Sequence, residues 1–435
     1  ASWRWHFFAG VFAIPFLLVL ATTGLVMLYY TAVQTPLGAR LVVSAQDSAT
    51  TPATQQLAAA TAALPAAAPT LYVPATDAHS TARVELTHGA AVYAVDINPY
   101  NNQVLRVVDK EATPYALAKR IHSSLLLGDV GAVTVEIVAG LGFLLIVTGA
   151  YMWLRQRKTT AAAESSHRNC WRRWHLLTGL YASAALCFFL LSGLAWTDIW
   201  GGRFVQPWSS FPAQKWGPVP LSTTNHTAMN HGSAKEVPWG LEQTPLPAST
   251  VHSHASDHGA QATVDLDTVN EQAQALGFGP RYRINLPQDA SGVYTISSTS
   301  MTGDTDVPGE ERTVHIDRHS GEVIAEVGYD DYTAMAKSMA VGIALHQASL
   351  GGWNIALNVL ACVAVLVLCV SGTALWWLRS AARPRWLPAA PPASGLPLRS
   401  MLTAVLVLLG LAIPLLGLTM TLGVLLYAAQ RQLQK

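Results

Sequence analysis

Five stretches of this chain are long and apolar enough to cross a lipid bilayer as helices: Phe7 to Tyr30, Ala132 to Leu154, Leu176 to Ile199, Ile355 to Leu378 and Met401 to Tyr427. A hydrocarbon core about 30 Å thick takes roughly 20 helical residues, and nothing in lipid satisfies an open backbone amide, so each stretch is confined to helix. The rest of the composition agrees, since only 12% of the 435 residues are charged and 51% are hydrophobic, about half the charge of an ordinary soluble chain. The expected fold class is therefore an α-helical polytopic membrane protein with about five transmembrane helices. The first stretch is read as a retained helix, because its apolar run is too long for a cleaved signal peptide and no small-residue cleavage site ends it.

Four histidines stand at the edges of these stretches in contexts that match two by two. RWHFFAG around His6 matches RRWHLLTG around His175, and IHSSLLLG around His122 matches LHQASLGG around His346. The same interval separates each histidine of the first pair from a small-residue step, Thr23-Gly24 in one copy and Ser192-Gly193 in the other. The second pair runs on to Thr148-Gly149 and Ser371-Gly372, each followed by tryptophan and arginine. Four landmarks in the same order imply an internally duplicated two-helix unit.

Arginine and lysine orient it, because cytoplasmic loops keep an excess of positive charge. Arg4, Arg155, Arg157, Lys158, Arg168, Arg172, Arg173, Arg379, Arg383, Arg385 and Arg399 all fall on one side. This divides the chain into helix 1 (1–30), an exported segment (31–120), helix 2 (121–154), a cytoplasmic loop (155–173), helix 3 (174–199), a second exported segment (200–337), helix 4 (338–378), a second cytoplasmic loop (379–399) and helix 5 (400–435). Helix 5 would end outside, the alternative being a re-entrant segment and an even number of crossings. Neither exported segment contains a cysteine, so no disulfide framework exists, and the net charge of +1 points to no nucleic-acid partner.

Within the exported segments, 45–70 reads as linker or weak helix. Ala82 to Leu86, Ala91 to Ile97 and Val104 to Val108 alternate like strands, and Val293 to Ser297, Thr313 to Asp317 and Glu322 to Ile324 repeat the pattern. YAVDINPYNNQVL and RTVHIDRHSGEVI align as one hairpin type. That hairpin resembles the PepSY module. With RWHFFAG, HSSLLLGDVG, RRWHLLTGL, LSGLAWTDIW and ALHQASLGG, the chain up to the fifth helix resembles PepSY-associated transmembrane-helix proteins, the family of bacterial inner-membrane iron-regulated proteins and ferrisiderophore reductases. The resemblance implies exported α+β PepSY-like domains, a bacterial inner membrane with its large loops in the periplasm, and a ferric siderophore as substrate.

The histidines suit a b-type haem, which needs neutral imidazoles at one membrane depth on facing helices. By depth, His6 pairs with His175 near the cytoplasmic face and His122 with His346 near the exported face, giving two haems and an electron path between the faces. Gly24, Gly149, Gly193 and Gly372 fall at ligand levels and would clear room for the macrocycle, the bland reading being helix packing through small residues. No nucleotide loop, catalytic triad or metalloprotease motif competes. The donor would be a separate cytoplasmic reductase or a membrane quinol.

Trp196, Asp198, Trp200 and Trp353 mark the outer mouth as candidate substrate contacts, with interfacial anchoring the usual role of such tryptophans. Asp198 would serve the haem propionates or simply end its helix. Glu136 is the one acid inside an apolar run. His226, His231, His252, His254 and His258 form a histidine-rich stretch able to hold a transition metal, or else a solvated loop. The rival functions are a haem-free sensor or assembly factor, a siderophore or iron transporter subunit, and a quinol-coupled cytochrome serving another exported acceptor.

Overall fold

The computed structural model describes residues 2–156, 166–249, 264–380 and 400–433. The chain divides into a helical unit, formed by 1–28, 118–206 and 356–435, and a sheet unit, formed by 29–117 and 207–355.

Among the described residues, four helices are long and apolar enough to cross a membrane: α1 (Ser2–Ala32), α4 (Gly128–Gln156), α5 (Ser166–Leu194) and α9 (Gly352–Ser380). Short helices precede two of them, α3 (Pro114–Ser124) before α4 and α8 (Ala334–Gln347) before α9. His122 and His346 thus ride on separate short helices, not on helices 2 and 4 as the sequence divides them. Both breaks use left-handed backbone: Leu125, Leu126 and Gly128 before α4, and Ala348 and Gly351 before α9. Gly131 is also required in the first turn of α4, because a Cβ there would lie 1.7 Å from the Ser124 carbonyl oxygen. A further short helix, α6 (Trp200–Phe204), follows α5.

The expected fifth spanning helix is not one helix. It breaks at Ile413 into α10 (Ser400–Ala412) and α11 (Pro414–Leu433), because Pro414 starts a new helix and glycines let the chain fold back. A Cβ on Gly417 would lie 2.4 Å from the Gly410 oxygen, whereas residues seven apart in a straight helix are separated by about 10 Å. The returning α11 passes Trp5 at Gly423, and Tyr427 lies under the Arg4 guanidinium, 5.0 Å from its ring centre. The segment therefore turns back toward the end of the helical unit where α1 begins, which replaces the expectation that it ends on the opposite side. Its bend packs on α4: Gly140 has room only because it has no Cβ, which would meet Leu416 at 3.0 Å. Ala9, Ala13, Val138, Leu141, Leu144, Leu402, Leu406 and Leu416 form the buried core there.

In the sheet unit the two segments do not make separate domains. They build one antiparallel sheet of eight strands in the order β10-β9-β8-β7-β1-β2-β3-β4. The first segment supplies β1 (Ala68–Val73), β2 (Ala82–His88), β3 (Ala91–Ile97) and β4 (Val104–Asp109), and the second supplies β7 (Arg283–Asn285), β8 (Tyr294–Ser298), β9 (Arg312–Ile316) and β10 (Val323–Gly328). The two sets join where β1 pairs with β7, Tyr72 opposite Ile284. Alternation sends Val84, Leu86, Val95, Ile97, Ile284, Ile296, Val314 and Ile316 to one face, under α2 (Ala53–Ala63) and α7 (Leu266–Ala275). The Ala-rich stretch read as linker or weak helix holds a packed helix and the start of a strand, and alanine is there because only small side chains fit between helix and sheet, with Ala60 wholly buried.

The residues alternating with that core are polar and buried: Glu85, Asp96, Arg283, Thr295, Ser297, Thr313 and His315. The second segment contributes a two-stranded ribbon, β5 (Leu221–Asn225) with β6 (Pro245–Pro247), and side chains that partner them. Lys110 contacts Glu85 at 2.6 Å and Glu236 at 2.9 Å, while Arg283 bonds Asp304 at 2.9 Å. Burial alone would lower the Lys110 pKa, but the two carboxylates outweigh it and raise it. Burial pushes Glu85 upward, whereas Lys110 and Arg283 hold Glu236 below the usual carboxylate range against its own burial.

Candidate functional site

The helical unit encloses a cavity of about 1090 Å³ among α1, α4, α5 and α9. His6 and His175 line it, with Ile14, Leu17, Ile146, Leu176, Leu180 and Leu368 among its apolar walls. Among the described residues, four arginines, Arg155, Arg168, Arg172 and Arg379, also line it, and no aspartate or glutamate does. They come from the cytoplasm-facing ends of the sequence reading. Arg379 lies 4.9 Å from the Trp3 ring centre and 5.0 Å from that of Phe7. The space is at the top of the range for small-molecule sites, and its chemistry suits a largely apolar ligand with anionic groups at one end.

The sequence pairing of His6 with His175 corresponds to two rings with centroids 6.2 Å apart and planes at 86°. Two imidazoles on opposite sides of one metal ion, at about 2 Å with about 1.1 Å more from nitrogen to ring centre, stand about 6 Å apart. Each ring is held from behind. His6 Nδ1 lies 3.0 Å from Thr148 Oγ1, and His175 Nδ1 lies 2.9 Å from Ser371 Oγ. The glycines that follow these hydroxyls lie against the same rings: a Cβ at Gly149 would be 3.3 Å from His6 Cε1 and one at Gly372 would be 3.5 Å from His175 Cε1. The small-residue steps therefore make room for the imidazoles themselves, a closer contact than the macrocycle clearance expected of them.

His122 has the same surroundings. Its Nδ1 lies 3.0 Å from Thr23 Oγ1, and a Cβ at Gly24 would be 3.8 Å from its Cε1. Burial lowers its pKa, favouring the neutral ring. His346 belongs to the sheet unit, near the end of α8. Gly193 lies in the last turn of α5.

The other candidates are dispersed. α5 ends at Leu194, short of the expected Ile199, so Trp196 and Asp198 lie in the turn beyond it, with Asp198 exposed. The Trp200 backbone N–H donates to Glu136 Oε2 at 3.3 Å and its indole N–H donates to the Ala412 oxygen at 2.8 Å. Trp200 is thus a brace between α4 and the bend of α10 and α11. The other Glu136 oxygen finds no hydrogen-bond partner among the described residues. Trp353 is 60% exposed at the start of α9.

The histidine-rich stretch does not gather. His252, His254 and His258 lie outside the described residues, and among those described no three or more of His, Cys, Asp and Glu come together as a metal site. His226, read as part of a loop, is wholly buried in the sheet unit. His226 Nε2 lies 3.1 Å from Nε2 of His315, a residue the sequence analysis did not single out. His315 alternates with the core residues of β9, and a histidine at a buried strand position was the available signal. His231 sits elsewhere, near Glu236 and Lys110, with its pKa lowered mainly by burial.

These features define a multi-helix membrane protein with a histidine-paired cavity and a covalently attached α+β sheet unit. The chain belongs to the family described as the PepSY-associated TM region, which matches residues 3–379 and so includes all four histidines and ends before α10. No curated protein matches it.

Proposed function

We propose that this protein is a di-haem b oxidoreductase of the bacterial inner membrane that passes electrons outward to reduce a ferric siderophore at the periplasmic face. The observation that carries the reading is the His6 and His175 pair, facing across an apolar cavity at the spacing of two ligands on one metal. The cavity residues fit the group: the glycines leave room at the rings, the aliphatic walls suit a porphyrin body, and the arginines suit its two carboxylates. Haem, when bound, supplies reversible one-electron transfer. The chain's own work is to hold both imidazoles, exclude water with aliphatic side chains and neutralise carboxylates with Arg155, Arg168, Arg172 and Arg379.

The second haem rests on the matched contexts of His122 and His346 and on the Thr23 and Gly24 surroundings of His122. The siderophore rests on the family, and reduction would release the metal because ferrous iron is held far more weakly than ferric iron by hard oxygen donors. The sheet unit would then be the periplasmic platform, and a cytoplasmic reductase or a membrane quinol would supply electrons.

The test is a visible spectrum of the detergent-purified protein with and without dithionite, with haem counted per chain, repeated for His6→Ala and His122→Ala. Two six-coordinate b-type haems, one lost in each variant, are expected, followed by reduction of a ferric hydroxamate. A colourless protein from a haem-replete host overturns the reading in favour of a sensor or a transporter subunit.

A further inference from the structure

The cavity histidines are backed by hydroxyls whose single hydrogen is already committed. Thr148 Oγ1 donates to the Leu144 oxygen at 2.6 Å, and Ser371 Oγ donates to the Leu368 oxygen at 3.3 Å. A hydroxyl has one proton to give, so toward the imidazole Thr148 can only accept, and donation to the Leu368 oxygen leaves Ser371 the same role. The proton of that contact must then lie on Nδ1, and a neutral ring protonated at Nδ1 has a bare lone pair at Nε2. Thr23 repeats the arrangement for His122, its hydroxyl donating to the Val19 oxygen at 2.8 Å while accepting from His122 Nδ1 at 3.0 Å. Three histidines on three different helices thus meet the same two-residue device: a serine or threonine that sets the tautomer, then a glycine that admits the ring edge.

We propose that Thr148 and Ser371 are positioning residues that lock His6 and His175 with Nε2 bare and their ring planes perpendicular. The lock is geometric, because each ring is fixed at Nδ1 by a hydroxyl on its facing helix and at Cε1 by the absence of a side chain at Gly149 or Gly372. The two clamps come from α4 and α9, and they set the planes at 86°. Only the nature of the cavity's occupant rests on the functional reading above; the tautomer does not.

With iron bound, perpendicular ligand planes leave its two π-bonding orbitals almost equal in energy, which makes the oxidised low-spin signal in electron paramagnetic resonance strongly anisotropic. A neutral hydroxyl at Nδ1 also pushes less electron density onto the ligand than a carboxylate would, favouring the ferrous state.

The experiment uses the full chain in lipid bilayers, with 15N-labelled histidine and dithionite present, so that any low-spin haem iron is diamagnetic. The expected result is an Nδ1-bound proton on both rings, assigned by loss of signal in His6→Gln and His175→Gln. Thr148→Val and Ser371→Ala should abolish that hydrogen-bonded signal and shift both the anisotropic resonance and the midpoint potential, and Thr148→Ser should restore them. Thr134→Val is the control, because that hydroxyl donates to the Val130 oxygen at 2.7 Å on α4, away from the residues that line the cavity, and should leave all three readouts unchanged. Protons at Nε2 in the wild type, or variants that fold with unaltered resonance and potential, overturn the proposal. A protein without haem that still carries the Nδ1 protons sinks the oxidoreductase reading alone.

Discussion

Each unit of this protein brings a pair of histidines together, half-buried in one and wholly buried in the other, and the two pairs are built oppositely. In the sheet unit His226 Nδ1 faces the Thr244 carbonyl oxygen at 2.7 Å, which can only accept, so His226 Nε2 is bare. His315 must then donate its Nε2 proton across 3.1 Å, and its Nδ1 accepts from the Thr295 hydroxyl at 2.9 Å. The two rings are complementary tautomers that satisfy each other, with centroids 5.0 Å apart. In the helical unit the two rings are like tautomers, both with Nε2 bare, 6.2 Å apart beside a cavity. A close approach of two imidazoles is common to both; what separates a self-contained pair from one with two open nitrogens is whether the hydrogen bonds behind the rings leave any proton to share between them.

The difference can be broken most severely by filling the cavity. Gly149→Leu places a side chain where a single Cβ is already 3.3 Å from His6 Cε1. Haem at that site should fall at least about tenfold, in keeping with the loss typical when a ligand's supporting shell is disturbed, while the sheet unit melts as before. Pyridine haemochrome counts and tryptophan-monitored melting read the two effects separately. His315→Leu should do the reverse, leaving the colour unchanged and destabilising the sheet unit by about 1–3 kcal/mol, because His226 loses its only Nε2 partner in a buried site.

Acid gives a graded form of the same contrast. Burial lowers the His226 pKa to about 4 and holds His315 well below its ordinary value, with His226 itself adding to the depression at His315. The unfolded chain therefore binds these protons first, so this contribution is complete above about pH 6.5 and is lost as pH falls toward 4, about 3 kcal/mol for a shift of the His226 size. Melting temperature against pH should show that slope in the wild type and a flatter one in a His226→Leu, His315→Leu double variant. The smallest effect expected is Trp216→Leu, about 1 kcal/mol of aromatic contact with His226 and His315, whose centroids lie 6.2 Å and 5.8 Å from it.

The helical unit was largely legible in the sequence because a membrane forces apolar residues into long runs and because the two cavity histidines stand in matching sequence contexts. RWHFFAG and RRWHLLTG mark His6 and His175 in the sequence itself. The bend at Ile413 was not legible by hydropathy, since α10 and α11 are continuous in apolar character and only Gly410, Pro414 and Gly417 mark the turn. In the sheet unit, hairpins with local pairing such as β2 with β3 could be read from alternation. The β1 and β7 junction could not, because it joins residues about 210 positions apart and β7 has only three residues. His315 was hidden for a related reason: its partner His226 comes from a distant segment, and neither context repeats.

That same junction sets a schedule for the newborn chain. β1 waits with one edge open until β7 is made, and at elongation rates of about 5–20 residues per second the intervening stretch takes about 10–40 s. For that interval the first half of the sheet is a half-finished template with amides and carbonyls on offer. A chain stalled before Arg283 should therefore be the form that aggregates or recruits a holding chaperone, and completion of the second hairpin pair is the moment at which the protein stops being adhesive.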